Sequence, residues 1–260
     1  MIVAVYSVKG GAGRTTIAVN IAAAIGQKHR GGCVLLDLGL PYNHAALVAN
    51  LVPTSCVALS DRAVQGAFEA ALLGAVLHHH TGMVVLPSAL RIEQSELVTP
   101  QLVQRSLDVL EQTFEYVLVD LGVAMSELAL GVLERADRIL VMVTPELPAL
   151  KDTTDLLQIF ENVLDISLAR VSLVLNHPRP QAMVTRADAE RVLKHDVQIE
   201  IAYDGPRFDR AAVTGEVLVA AEPASAAAKT IRRLATLLTD EVGAGGEGPR
   251  RHRRSRHEGA

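Results

Sequence analysis

Tryptophan is absent from this chain, and aromatic residues make up only 3% of it. The core must therefore come from Leu, Val, Ile and Ala among the 49% of hydrophobic residues, a composition suited to a sheet covered by helices on both faces. Cysteine is scarce too. Cys33 and Cys56 lie in apolar surroundings without metal-ligand spacing, so each reads as a small buried hydrophobe and no disulfide is expected. No apolar run is long enough to span a bilayer, and the first one, Ile2–Tyr6, is too short for a secretory signal. The expectation is a cytoplasmic protein. Its 260 residues and formal charge of −4 suit one large globular domain.

Short apolar runs at 2–6, 33–36, 83–86, 116–119, 138–143, 171–175 and 197–201 read as buried strands. Helical patterns fall between most of them, at 15–27, 61–77 with a break near Gly66, 100–114, 126–134, 148–164, 186–194 and 224–242. Strand alternating with helix predicts an α/β fold with right-handed crossovers and a mainly parallel sheet, its ligands at the carboxyl ends of the strands. No internal repeat is visible. From Gly243 the sequence turns to Gly-rich and then Arg-rich composition, and 243–260 is expected to be a disordered tail. That tail carries a formal +3, which leaves −7 on the body of a chain whose total is −4. An acidic body argues against broad DNA binding, so contact with nucleic acid or an anionic surface is expected only through the tail.

The most informative segment is Ser7-Val-Lys-Gly-Gly-Ala-Gly-Arg-Thr-Thr16, placed between the first strand and the first helix. Glycines let backbone N–H groups approach phosphate oxygens, and the helix that follows points its positive end at the same anion. The general phosphate-loop pattern G-x-x-x-x-G-K-[ST] is met in part: Gly13 and Thr15 match, whereas Val8 replaces the first Gly and Arg14 the Lys. Two carboxylates stand at the ends of apolar strands, Asp37 and Asp120. Beside a hydroxyl from Thr15 they suit the outer shell of a Mg²⁺ ion that keeps most of its waters. An Asp in such a place also serves as a helix cap or turn former.

Lys9-Gly10-Gly11-Ala12-Gly13-Arg14-Thr15-Thr16 resembles the deviant Walker A motif, K-G-G-x-G-K-[ST]-T, of the ParA/MinD superfamily. The resemblance runs from Met1 to about Val242 and implies a P-loop NTPase-type domain over 1–242 that binds ATP with Mg²⁺ and dimerises on binding it. It assigns Lys9 to the partner subunit's phosphates, Thr15 to the metal, Thr16 to the α-phosphate, Asp37 to the acidic position after the second strand and Asp120 to Walker B. Lys9, Arg14 and Asp37 would then be the catalytic set. Asn176 stands where the family contacts adenine, and Ile201-Ala-Tyr203-Asp204 resembles a later I-P-x-D segment beside the base. Segments 82–98 and 136–150 resemble the CpaE/TadZ-like branch of pilus assembly, which implies a protein partner in a pilus, secretion or envelope machine.

Two departures bear on activity. Arg14 places a planar, forked guanidinium where the motif has a compact ammonium, and Gly39 stands where MinD and ParA have a second acidic residue. Very weak hydrolysis is the expectation, with a non-enzymatic scaffold and a chromosome or plasmid partition or division-site ATPase as alternatives. His78-His79-His80 reads as a solvated helix end rather than a metal site, and Ser88 and Ser126 lack the context of a nucleophile. Ala227, Ile231, Leu234, Leu238 and Val242 form an apolar stripe expected to dock on the sheet, while the extreme C-terminus has no apolar face for membrane insertion.

Overall fold

The structure is a computed structural model that describes residues 1–61, 66–181 and 183–245, the last five as backbone only. In chain order the elements are β1 (Ile2–Tyr6), α1 (Arg14–Lys28), β2 (Cys33–Leu38), α2 (Ala45–Val48), α3 (Val57–Ser60), α4 (Phe68–Leu73), β3 (Leu77–His78), β4 (Val84–Pro87), α5 (Ile92–Ser95), α6 (Pro100–Thr113) and β5 (Tyr116–Leu121). There follow α7 (Glu127–Arg135), β6 (Arg138–Val143), α8 (Leu147–Asn162), β7 (Val171–Asn176), α9 (Arg186–Leu193), β8 (Val197–Ile201), α10 (Gly205–Thr214), α11 (Leu218–Ala221) and α12 (Ala226–Gly245). The eight strands make one sheet in the order β3-β4-β2-β5-β1-β6-β7-β8, parallel throughout except for β3. The α/β expectation is met.

Alternation along the strands divides the core into two layers. Ile2, Ala4 and Tyr6 of β1 face α6, α7 and α8, whereas Val3 and Val5 face α1, α11 and α12. Because both faces are covered, most of the parallel strands read as apolar runs, and all seven were legible in the sequence, although β8 alternates with Gln198 and Glu200 exposed. Helix α1 is buried along Ile17–Gly26, between the sheet and α12. Its small residues permit that depth: a Cβ on Gly26 would come within 2.3 Å of the Met83 backbone nitrogen. Side-chain caps set three other helix starts, with Thr99 accepting from Leu102 N–H, Ser126 from Ala129 N–H and Thr185 from Asp188 N–H.

Three expectations need correction. The helical pattern over 61–77 resolves, outside the undescribed residues 62–65, into the short α4 followed by β3, because pairing with the free edge of β4 overrides local periodicity. His78-His79-His80 is therefore part of a hairpin rather than a helix end. Gly82 turns the chain with φ +93°, His79 is buried with Nδ1 2.8 Å from Thr81 Oγ1, and His80 Nε2 pairs with Glu216 at 2.9 Å. The last helix runs to Gly245, past the expected start of the tail, and 246–260 lies outside the described residues. The stripe on α12 docks as expected through Ala227, Ile231, Leu234 and Leu238. Both cysteines are buried and free. Among the described residues no helix is long and apolar enough to cross a membrane.

Candidate functional site

The site begins where β1 ends. Gly11 and Gly13 adopt φ +76° and +81°, a left-handed conformation that turns the chain back on itself and starts α1 immediately after Gly13. A Cβ on Gly10 or Gly11 would point into open space, so the backbone there is open to a ligand on that side. Gly13 is different, since a Cβ on it would lie 2.5 Å from Asn176 Nδ2. That amide, at the end of β7, donates to the Ala12 carbonyl at 2.9 Å and pins the loop from the other side.

Register places the two carboxylates together. Asp37 and Asp120 are paired neighbours on β2 and β5, and Asp120 is also level with Val5 on β1, so both project at the carboxyl end beside the loop. Both are fully buried. Asp120 accepts from Arg14 Nε at 2.7 Å on one oxygen and from Thr15 Oγ1 at 2.6 Å on the other. Asp37 accepts backbone N–H groups from Gly39 at 2.9 Å and Ala45 at 2.7 Å, and so holds the turn after β2. Burial, and then the Asp120 charge, push the Asp37 carboxyl up to about 7. Burial raises Asp120 as well, against the opposing charge of Arg14. No carboxylate stands at 39, where a Cβ would be 3.0 Å from Asp37 Oδ1. Asp37 is thus a turn former by its bonds, and by its register it stands beside Asp120.

The donor set fits Mg²⁺. Thr15 Oγ1 donates its single hydrogen to Asp120 and keeps lone pairs for a hard cation, while each carboxylate oxygen has a further lone pair for metal-bound water. Among the described residues no group of three His, Cys, Asp or Glu could hold a metal by itself. A cation here would depend on phosphate oxygens and water, as Mg²⁺ usually does.

Lys9 pairs with Glu146, at the start of α8, and Arg179 reaches the same carboxylate at 3.8 Å. Thr16, Gly13 and Asn176 line a cavity of about 150 Å³ with His177, Pro178, Asp204, Gly205 and Phe208. One oxygen of Asp204 pairs with Arg207 at 2.8 Å, and the other is buried without a partner among the described residues. Tyr203 does not join this cavity. It lines a neighbouring surface hollow with Arg207, Arg210 and Glu222, which shares Asp204 with the cavity. Sequence reasoning missed Glu146, His177 and Phe208. Thr144-Pro-Glu146 after a strand was a usable signal for the first, whereas Phe208 sits in a polar helix whose only buried residue is Ala211.

The AAA domain family matches residues 1–172. An uncharacterized ATP-binding protein of Methanocaldococcus jannaschii is 27% identical over 237 residues, covering 91% of this chain and 86% of the relative. The ParA family ATPase from Chlorobium tepidum TLS superposes with a TM-score of 0.81 at 23% identity, over 91% of this chain and 98% of that one. Septum site-determining protein MinD from Pyrococcus horikoshii OT3, solved with Mg-ADP, gives 0.78 at 20% identity, over 94% and 97%. The structural likenesses carry the fold, and the match across about two thirds of the sequence carries the family: this chain belongs to the AAA domain family.

Proposed function

We propose that this chain is a nucleotide-dependent switch that binds ATP with Mg²⁺ in the cleft between Lys9 and Thr16, dimerises in response and hydrolyses slowly. The observation that carries the reading is convergence. The glycine loop, Thr15, Asp37 and Asp120 meet at the carboxyl ends of β1, β2 and β5, and the Asn176–Asp204 cavity opens beside them at Gly13. In this reading the amides of Gly10 to Gly13 cradle the phosphates, Thr16 takes the α-phosphate, and Asn176 with Asp204 contacts the base. The partnerless oxygen of Asp204 is an acceptor suited to the exocyclic amine of adenine. Bound Mg²⁺ would supply charge neutralisation at the terminal phosphates. Lys9 leaves Glu146 and reaches the nucleotide of a second copy.

Slow turnover follows from Arg14 and Gly39, since losing one charge-stabilising element typically costs about 10²–10³-fold in rate. Calorimetric titration tests binding, with a Kd tighter than about 100 μM expected. Light scattering tests the switch: mass should double with ATP in the native chain and stay monomeric in Lys9→Ala, which should still bind. The resemblance of 82–98 and 136–150 to the CpaE/TadZ-like branch supports a role in organising a pilus or related envelope machine. Adjacent secretion-ATPase and pilin genes would support that branch, and their absence would favour a partition or division-site role. Retention on DNA at low salt, abolished by truncation after Val242, would favour partition through the tail. A scaffold without nucleotide dependence is the second reading, favoured by the occupation of Asp120 by Arg14, and absence of ATP binding would establish it.

A further inference from the structure

The side chain of Arg14 is turned toward Asp120. As the first residue of α1, Arg14 contributes its backbone amide to the anion-facing turn, while its Nε donates to Asp120 Oδ1 at 2.7 Å. A second donor, Nη1, is 3.4 Å from Ser7 Oγ, which steadies the plane of the guanidinium. With Thr15 Oγ1 on its other oxygen, the Asp120 carboxylate carries a protein donor on each side. Asp37 likewise has a backbone amide on each oxygen, and Gly39 adds no third carboxylate.

From this arrangement we infer that Arg14 is a built-in cation for the Asp120 position, so that the chain binds ATP with little dependence on a divalent metal. The inference rests on the nucleotide reading above. A triphosphate entering beside two buried carboxylates is repelled unless positive charge lies between them, and divalent metal ordinarily provides it. Guanidinium is permanently charged, and its planar fork holds a carboxylate with one edge while offering N–H groups to phosphate along another. A lysine at 14 is a point charge that serves one side at a time. Mg²⁺ still fits beside Thr15. What changes is how much binding it contributes, because the charge it would neutralise at Asp120 is already paired.

Titration calorimetry on the full chain decides this, using ATP in excess EDTA and ATP in excess magnesium chloride at matched ionic strength. Chelation should weaken native binding by less than about fivefold, whereas Arg14→Lys should lose at least about twentyfold on chelation. Arg14→Gln, checked for folding by circular dichroism and by its melting temperature, should bind ATP with magnesium and fail without it. A native loss of fivefold or more on chelation would overturn the inference alone, with nucleotide binding intact. So would an Arg14→Lys or Arg14→Gln protein no more metal-dependent than the native one. No binding by the native chain in either buffer would overturn the nucleotide reading itself, and this inference with it.

Discussion

The two ends of the cleft are built on opposite terms. At the phosphate end Arg14, Thr15, Asp37 and Asp120 are buried against one another and against backbone amides, and each carboxylate oxygen already has a donor. At the base end the Asn176 amide is committed to the loop, but one Asp204 oxygen is buried with no donor among the described residues. A buried acceptor left without a partner costs about 1–3 kcal/mol, so the base end gains most from a ligand that supplies an N–H group. The phosphate end is organised beforehand and gains mainly from added charge. Gly13 joins the ends, because its missing side chain is what lets Asn176 reach the loop.

Breaking the phosphate end should have the largest effect. Asp120→Ala leaves the largely buried Arg14 guanidinium unpaired and should lower unfolding free energy by about 3 kcal/mol, measured by urea denaturation. Loss below 1 kcal/mol would mean that the ion pair contributes little. Gly13→Ala attacks the junction. With φ +81° and Asn176 in the way, it should cost about 2 kcal/mol and weaken ATP binding and loop order together. If only one of the two changes, the ends are not coupled through Gly13.

At the base end, Asp204→Asn keeps the shape and removes the charge, and ATP affinity should fall about tenfold with little change in stability. An unchanged affinity would remove Asp204 from the base site. The remaining test concerns pH. The Asp37 carboxyl has an ordinary value of 3.8 and is pushed to about 7 in the fold, so the folded chain holds a proton that the unfolded chain has released. Stability of the ligand-free protein should therefore fall as pH rises from about 4 to about 7 and then level off at this group. Asp37→Asn should flatten that part of the melting-temperature profile, and an unaltered slope would place its origin elsewhere.

Much of this cleft could be read before folding was known. Lys9 to Thr16, Asp37, Asp120 and Asn176 all follow apolar runs, and in a parallel sheet the ends of such runs share one edge. Motif spacing does not record which of Tyr203 and Asp204 lines the cavity beside Asn176, because adjacent residues in a turn point in different directions. α10 was missed since its amphipathic face is nearly empty, with Ala211 its only buried residue. β3 was hidden for a related reason: two residues have no periodicity of their own, and their strand character exists only against β4.

Composition and local pattern alone determined the strand–helix alternation, the aliphatic core and the glycine loop, because burial on both faces and left-handed turns restrict which residues can stand there. Only tertiary structure decided that Arg14 bonds to Asp120, that Lys9 rests on Glu146 and that Asp204 keeps one oxygen without a donor. The two pairs lie 106 and 137 positions apart, and which atoms meet depends on how the layers pack rather than on any local preference.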